Sequence, residues 1–295
     1  MTGKLLVTGA SGHLGAGVLR HLLDTFNVPA SSIVAGSRDT SKLADLAARG
    51  VETRKVDFND PASLEAAFAG IDQLLIISTD ALDGEGTRFR QQTAAVAAAK
   101  AAGVGRLAYT SMPNPDEAKV LFAGDHKGTE DAIIATGLPY TIFRVSWYME
   151  NYFMSLPAAF AMGQWFSAAG DGKVANIARD DAARAIAGGL AAPAVDSMIY
   201  TLTGSVARTT EEVAALASEA TGKPLTVVHV TDEQLAQGME GAGVPAPFIP
   251  TFVSFDTNTR AGKVDIVTKD AETLAVAKLT PLEAFFEATK DALQG

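Results

Sequence analysis

Short apolar runs alternate with amphipathic segments through the first half of the chain. The apolar runs predict six β-strands, at residues 4–8, 32–36, 52–56, 73–78, 106–110 and 140–144. The intervening segments carry apolar residues at helical spacing and predict helices over residues 16–25, 40–49, 61–69, 86–102 and 125–136. Regular alternation of strands and helices is typical of an α/β fold. We therefore predict a doubly wound parallel sheet.

The pattern of the second half is less regular. It predicts helices over residues 151–164, 180–191, 210–221 and 280–293, and strands over residues 198–202 and 225–230. We expect the strand at 198–202 to return to the main sheet. Residues 241–250 are rich in glycine and proline, and we interpret them as a candidate mobile segment over the site.

A loop with three evenly spaced glycines lies between the first strand and the first helix. This context suits a dinucleotide, because glycines allow a tight turn, a close approach of the backbone to a pyrophosphate and close helix–strand packing. The amides at the start of the helix would then face the phosphates. The candidate cofactor contacts in the loop are Gly9, Ser11, Gly12, His13, Leu14 and Gly15. A tight turn without a ligand is the alternative.

The end of the second strand indicates which nicotinamide cofactor the loop would hold. NAD-specific sites place Asp or Glu there to bind the ribose 2′-hydroxyl, whereas this chain has Arg38, with Lys42 one helical turn later. An arginine can pair with a 2′-phosphate through its planar guanidinium. Asp39 is the one acid nearby, and it can instead cap the helix that follows. The pattern favours NADP(H) over NAD(H), with solvated surface cations as the alternative.

Polar residues also follow the third, fourth and fifth strands. Ligands of doubly wound sheets bind beyond the carboxyl ends of the strands. The candidate cofactor contacts at these ends are Asp57, Phe58, Ser78, Thr79 and Ser111. Met112 comes next along the chain and is a candidate substrate contact. For Ser78 and Ser111, simple capping of a strand end is an equally good interpretation.

The chain length sets the domain organisation. The 295 residues, 47% of them hydrophobic, are enough for a large and a small α/β region. We assign residues 1–150, with 174–204 returning to them, to a cofactor-binding domain. We assign residues 151–173 and 205–295 to a smaller α/β substrate-binding region.

Composition excludes several classes of function. The chain has no cysteine, which rules out disulfides, zinc–thiolate sites and a cysteine nucleophile. The net charge is −10 without any basic run, so nucleic acid is not an expected partner. The four histidines are scattered, so we predict no metal site. No apolar stretch would span a membrane and no signal peptide precedes the first strand, so we expect a cytoplasmic protein.

Seven short motifs together resemble one family of reductases. They are Val7-Thr-Gly-Ala-Ser-Gly-His-Leu-Gly15, Tyr109-Thr-Ser111, His126 with Thr129-Glu130, Tyr140-Thr-Ile-Phe-Arg144, Trp147-Tyr148 with Glu150-Asn151-Tyr152, Ala168-Ala-Gly-Asp-Gly172 and Thr280-Pro281-Leu282. The joint pattern resembles the NmrA-like branch of the atypical short-chain dehydrogenases/reductases. Within that branch it is most similar to bacterial NAD(P)H:quinone oxidoreductases, with triphenylmethane reductase nearby. The resemblance implies a Rossmann-like fold that binds NADP(H).

The resemblance also implies an unusual catalytic position. Typical members of the superfamily use a Tyr-x-x-x-Lys pair, whose tyrosine transfers the substrate proton. The corresponding residues here are Phe122 and His126, so simple alcohol dehydrogenase chemistry is not expected. His126 could bind the nicotinamide ribose, supply positive charge near a reduced quinone oxygen or relay a proton. The alternative is a surface histidine or a helix cap.

Aromatic residues cluster just after the sixth strand. Their position favours a wall on which a flat substrate stacks, although aromatic stripes more often belong to a core. Asn151 could hydrogen-bond a carbonyl, orient the cofactor amide or cap a helix. The candidate catalytic residues are His126, Tyr148 and Asn151. The candidate substrate contacts are Met112, Trp147, Tyr148 and Tyr152.

Two functions of different classes fit these observations. The first is an NADPH-dependent oxidoreductase that transfers hydride directly to a planar acceptor, above all a quinone, with a triphenylmethane dye or an enone as other acceptors. The second is an NADP(H)-sensing regulator without turnover, which the missing tyrosine also suits. The expected partner is a small quinone-like molecule, and a homodimer is one oligomeric state that the resemblance allows.

Overall fold

The computed structural model describes residues 3–82, 86–193 and 196–293. The outermost residues of the two predicted regions, 1–2 and 294–295, therefore lie outside the described residues. The strands are β1 Leu5–Val7, β2 Ile33–Ser37, β3 Glu52–Lys55, β4 Gln73–Ile76, β5 Arg106–Ser111, β6 Tyr140–Val145, β7 Gln164–Ser167, β8 Met198–Leu202 and β9 Thr226–His229.

Seven of these strands form one parallel sheet in the order β3-β2-β1-β4-β5-β6-β8. The order reverses between β1 and β4, where Leu6 lies between Val34 on one side and Leu74 on the other. Such a reversal opens a crevice at the carboxyl ends of the strands, where ligands of these folds bind. The predicted doubly wound α/β fold is confirmed, and β8 lies beside β6.

Helices cover both faces of the sheet. The α-helices of the described residues are α1 His13–Asp24, α2 Ala44–Ala48, α3 Pro61–Phe68, α4 Thr87–Ala101, α5 Ala123–Ala135, α6 Leu156–Met162, α7 Arg179–Ala191, α8 Thr210–Thr221, α9 Asp232–Gly241, α10 Ile249–Arg260, α11 Asp270–Ala275 and α12 Leu282–Leu293. Side chains of α1, α7 and α11 bury one face of the sheet, and those of α3, α4 and α5 bury the other. None of the described helices is both long and apolar enough to cross a bilayer.

Two predicted elements differ from the structure at their ends. The strand predicted to 78 ends at Ile76, because the amides of Ile77 and Ser78 donate to the hydroxyls of Thr8 and Thr110 instead of continuing the sheet. The helix predicted over 40–49 begins as a 3₁₀ turn, Thr40–Leu43, and becomes α-helical only in α2.

The aromatic helix predicted over residues 151–164 is wrong in part. Met149–Met154 forms a 3₁₀ turn, and α6 is a separate short helix. Gly163 ends α6 with a φ of +67°, which a glycine adopts without strain. The following residues form β7, which pairs in parallel with β9 in a second, two-stranded sheet. The signal missed was this glycine.

The glycine- and proline-rich segment at 241–250 is folded. It contains the end of α9, a 3₁₀ turn at Ala246–Phe248 and the start of α10. Thr231 and Gln234 cap α9 reciprocally, and Pro250 lies in the first turn of α10, where its missing N–H costs nothing. The sequence pattern missed both helices. The movement of this segment over the site stays a prediction.

Candidate functional site

The glycine loop is built as a dinucleotide site requires. Gly9 has a φ of +61°, and its carbonyl accepts from the amide of Gly12 at 2.9 Å. A Cβ at Gly15 would lie 2.2 Å from the oxygen of Gly9, so only glycine lets α1 approach the loop this closely. No described side chain caps α1 and its first turn holds no acid, so the exposed amides near His13 carry the positive end of the helix dipole.

The loop is tied to the end of β2. Ser11 Oγ lies 2.9 Å from Ser37 Oγ, and Ser37 Oγ accepts from the amide of Asp39. The Asp39 carboxylate accepts from the hydroxyl and the amide of Ser41, which together lower its pKa, with a smaller electrostatic contribution from Lys42. Asp39 therefore caps the turn that follows, as one of the two interpretations had it.

Arg38 is exposed beside this loop and forms no ion pair with any described residue. Lys42 is also exposed, on the 3₁₀ turn that follows β2. Because Asp39 is engaged in capping, the charge offered to a ribose at this edge is positive. That arrangement suits a 2′-phosphate better than a free 2′-hydroxyl.

Asp57 and Phe58 follow β3 at the same edge of the sheet. The Asp57 carboxylate accepts from the amide of Asn59, and its own amide donates to the hydroxyl of Ser63. Phe58 is half-buried against the core beneath α3. Both residues thus shape the loop beside β2, and their predicted contact with the cofactor stays a prediction.

Three buried hydroxyls without partners lie at the carboxyl ends of β4, β5 and β6. Thr79, Ser111 and Ser146 each bury a side-chain oxygen that has no hydrogen-bond partner among the described residues. Ser78 differs, because its hydroxyl lies 3.4 Å from that of Thr110 and belongs to a strand-end contact. Native proteins rarely leave buried polar atoms unpaired, so these three hydroxyls fit a polar ligand in the crevice.

The buried side chain of Gln92 holds Thr79 in place. Gln92 on α4 accepts from the amide of Thr79 at 3.3 Å and donates to Thr129 Oγ1 at 2.9 Å. Thr129 in turn donates to the carbonyl of Asp125 on α5. The sequence analysis missed Gln92; the available signal was a polar residue within the alanine-rich helix α4.

His126 is buried, with both ring nitrogens engaged. Nε2 lies 2.8 Å from Arg88 Nη2, and Nδ1 lies 2.8 Å from the hydroxyl of Tyr109. A guanidinium can only donate, so Nε2 accepts and the ring proton is on Nδ1. Burial, with a further contribution from Arg88, lowers the pKa of His126 well below its usual value. The histidine is therefore neutral, which argues against the cationic role considered for it, and its burial excludes the surface alternative.

The positive charge at this position belongs to Arg88, which the sequence analysis missed. Arg88 is 7% exposed, and its guanidinium lies 4.9 Å from the centre of the Phe122 ring, a cation–π contact. Phe122 is the residue at which the resemblance places the tyrosine of typical superfamily members. The Phe122 ring thus contacts both the Arg88 guanidinium and the Phe255 ring.

An aromatic wall, which we define as Phe122, Trp147 and Phe255, stands at the carboxyl edge of β5 and β6. The Phe255 ring meets Trp147 edge-on at 5.3 Å and Phe122 edge-on at 5.9 Å. Met112 is buried in the same cluster. The predicted substrate contacts Trp147 and Met112 thus lie in one cluster, and their contact with a substrate stays a prediction. Phe255 comes from α10 and was missed by the sequence analysis.

The other aromatic candidates lie elsewhere. Tyr152 packs on Phe286 and Trp165 in the core of the C-terminal region and donates to Asn176 Oδ1 at 2.7 Å. Its ring therefore serves packing, and the expectation that it joins Trp147 in one wall is not met. The tyrosine is held by its neighbours in that core.

Tyr148 and Asn151 lie in the turn after β6. Burial raises the pKa of Tyr148 to about 12, and the guanidinium of Arg179 lies 4.9 Å from the centre of its ring. Tyr148 is half-buried, and a phenol with a raised pKa is a poor acid at neutral pH. Asn151 is half-buried, and its backbone N–H donates to the carbonyl of Tyr148, so the turn fixes its backbone. The catalytic role of both residues stays a prediction.

Comparison with known proteins assigns the family. The sequence profile of the NmrA-like family matches residues 1–286. The chain belongs to the NmrA-like family. Quinone oxidoreductase 2 of Escherichia coli (strain K12) is 36% identical to this NmrA-like protein over 258 residues, which is 88% of both chains. Among the described residues, no group of three or more His, Asp or Glu side chains is placed to hold a metal ion.

Two solved structures share the whole fold. The triphenylmethane reductase of Citrobacter sp., crystallised with NADP(H), has a TM-score of 0.90 and 34% identity, covering 97% of this chain and 99% of the reductase. The NADPH-dependent quinone oxidoreductase of E. coli, crystallised with NADPH, has a TM-score of 0.91 and 34% identity, covering 96% and 99%. Both neighbours thus bind the cofactor that the glycine loop and Arg38 favour here.

Proposed function

We propose that this NmrA-like protein is an NADPH-dependent oxidoreductase that reduces a planar small molecule, above all a quinone. One observation carries the proposal. The buried, unpaired hydroxyls of Thr79, Ser111 and Ser146 lie at the edge of the sheet that also holds the glycine loop and the aromatic wall. Polar groups for a cofactor and a flat apolar surface for an acceptor therefore occur at one edge.

The residues present fit NADP(H). The loop from Gly9 to Gly15 would hold the pyrophosphate, and Arg38 with Lys42 would hold the 2′-phosphate. Asp57 and Phe58 would contact the adenosine half. The unpaired hydroxyls would serve the nicotinamide half. When bound, NADPH supplies a hydride to the acceptor.

The chain's own groups suit a quinone better than a ketone. Reduction of a quinone by hydride gives a hydroquinone monoanion, which then takes one proton from water. Because this anion is aromatic, it needs less acid assistance than an alkoxide, and Phe122 offers no proton. The buried charge of Arg88 behind Phe122 favours the negative charge that develops on the acceptor.

The division of labour along the chain follows from these assignments. Residues 1–150 and 174–204 would bind the cofactor, and residues 151–173 and 205–295 would complete the acceptor site. Phe255 on α10 supports this division, because a residue of the C-terminal region forms part of the aromatic wall.

The test is NADPH oxidation with a panel of acceptors. The panel contains a benzoquinone, a naphthoquinone, a triphenylmethane dye and a simple enone, with NADH in parallel. We expect rapid turnover of a quinone and a preference for NADPH. If only the dye or only the enone were reduced rapidly, that compound and not a quinone would be the acceptor class in the proposed function. Saturable NADPH binding without turnover of any acceptor would support the sensing regulator instead.

A further inference from the structure

Two buried N–H groups beside the aromatic wall have no partner. They are Trp147 Nε1 and Asn258 Nδ2, and neither has a hydrogen-bond acceptor among the described residues. Asn258 is fully buried. Because an unsatisfied buried donor is unfavourable, such groups in native proteins commonly meet a ligand or an ordered water.

The orientation of the Asn258 amide is fixed. Its Oδ1 accepts from the amide of Lys119 at 2.7 Å. Turning the amide over would set an N–H group against that N–H, so Nδ2 must point away from the chain at Lys119. The free group is therefore a true donor and not an acceptor.

The two donors lie on the two segments that supply Trp147 and Phe255 to the aromatic wall. Asn258 lies three residues after Phe255 on α10, a spacing that puts both side chains on one side of the helix. The Phe255 ring packs edge-on against Trp147. On the other flank, Lys119 is adjacent to Val120, which is buried in the same cluster as Trp147.

The indole of Trp147 is also held in place. The Trp147 carbonyl accepts from the amide of Ile177 at 3.0 Å and from Asn176 Nδ2 at 3.3 Å. The backbone is thus fixed, and the ring is fixed by Phe255. An indole Nε1 can only donate, so its partner must be an acceptor atom.

We propose that Trp147 Nε1 and Asn258 Nδ2 donate hydrogen bonds to the oxygens of a carbonyl-bearing acceptor. The inference deepens the proposed function and rests on it. Hydride transfer moves two electrons into the quinone ring and places negative charge on its oxygens. Donors aimed at those oxygens therefore strengthen in the transition state. The pair selects quinones over a cationic triphenylmethane dye, which has no oxygen to accept from them.

The kinetic test compares variants that remove a single donor. Trp147→Phe keeps a flat ring without Nε1–H, and Asn258→Asp keeps the acceptor for Lys119 but removes Nδ2–H. We expect each to lower kcat/KM for 2-methyl-1,4-naphthoquinone by roughly tenfold, the effect of one charge-assisted hydrogen bond. The KM for NADPH should not change, and any turnover of crystal violet should fall clearly less than that of the quinone. Trp165→Phe, which changes the only other tryptophan, is the control. Equal losses for quinone and dye would overturn the proposal.

A second measurement depends neither on turnover nor on a variant of Trp147 or Asn258. In ¹H–¹⁵N spectra of the NADP⁺-bound protein, the two indole N–H signals are assigned with Trp165→Phe. Addition of the naphthoquinone, which NADP⁺ cannot reduce, should move the Trp147 signal downfield and leave that of Trp165 in place. If the Trp147 signal moved on addition of NADP⁺ alone, the Nε1–H group would be bonded to the cofactor, and the proposal would be overturned. A shift without turnover in the acceptor panel would contradict the proposed function but keep the carbonyl site.

Discussion

At the scale of single residues, Gly15 is the glycine of the loop at which an added methyl group would overlap backbone most closely. Its Cβ would lie 2.2 Å from the oxygen and 2.8 Å from the carbon of Gly9. We expect Gly15→Ala to displace the loop and to lower NADPH affinity by at least tenfold, measured by fluorescence titration. Gly238→Ala, on α9 with no atom near the new methyl group, is the matched control and should bind NADPH normally. Unchanged affinity in Gly15→Ala would mean that the loop does not hold the pyrophosphate.

We expect Arg38 to decide between NADPH and NADH. Its exposed guanidinium lies beside the loop, and the neighbouring Asp39 is occupied by Ser41. We expect Arg38→Ala to raise the KM for NADPH by roughly tenfold or more and to leave that for NADH nearly unchanged, because only NADPH carries the 2′-phosphate. Arg49→Ala removes another exposed arginine, one that pairs with Asp24, and is the control. Equal effects on both cofactors would contradict the assignment.

The sequence predicts the glycine loop and Arg38 better than it predicts the buried side chains that pair across the fold. The glycine loop and Arg38 act through neighbours close in the chain, so their spacing carries the signal. Arg88 and Gln92 act through His126 and Thr129, 38 and 37 positions away. No local pattern marks those pairs, because they form only when α4 packs beside α5.

At the scale of elements, the contact between α4 and α5 depends on a neutral histidine. His126 is buried between Arg88 and Tyr109, and burial, assisted by Arg88, lowers its pKa in the folded state. Below about pH 6.5, His126 therefore binds a proton in the unfolded chain but not in the folded chain. The contribution of neutral His126 to the free energy of unfolding is fully present above about pH 6.5. It decreases as the pH drops below that value, by at most about 1.4 kcal/mol per pH unit for this one proton.

The variant His126→Gln isolates this effect. Denaturant unfolding at pH 7, 6 and 5 should show a smaller loss of stability on acidification in the variant than in the wild type, because glutamine does not titrate. The absolute stability of the variant at pH 7 does not enter the comparison. The same pH dependence in both proteins would show that His126 is not the group responsible.

The helix α10 carries Phe255, the residue of the aromatic wall that the sequence analysis did not assign. Phe248, the last residue of the 3₁₀ turn before α10, stacks on Phe252, which stacks on Phe255; of these three rings, only that of Phe255 contacts Trp147. We expect Phe255→Leu to raise the KM for a quinone several-fold and to leave NADPH binding intact, since the ring contributes flat contact area to the acceptor alone. Phe248→Leu, at the exposed end of the stack, is the control for a general effect on the helix. Equal changes in both variants would argue against a specific acceptor wall.

The sequence missed this helix for a physical reason. Its first turn contains Pro250 and follows Gly243 and Pro245, residues that usually break regular structure. Proline is nevertheless tolerated at the start of a helix, and Phe255 of α10 packs on Trp147, which follows a strand more than 100 positions earlier. Tertiary packing thus decides an element whose local sequence indicates a loop.

At the scale of the whole molecule, the second half of the chain completes the first. β8 pairs with β6 from Thr141↔Met198 to Val145↔Leu202, and α7 packs on α1 across the face of the sheet. A fragment of residues 1–150 would expose the edge of β6 and the apolar face of α1. A fragment of residues 1–204 would keep both contacts and lack only α11 on that face.

We therefore expect the fragment 1–150 to lack a cooperative thermal transition and to bind NADPH at least tenfold more weakly than the full chain. The fragment 1–204 should recover part of both, because the glycine loop depends on α1 being held against the sheet. Circular dichroism and NADPH titration measure the two properties in parallel. The full chain should unfold in one transition that rises in temperature with NADPH concentration, as binding to the folded state alone requires. If residues 1–150 alone bound NADPH as the full chain does, the returning strand and helix would not be needed for the cofactor site, and the cofactor domain would end at β6.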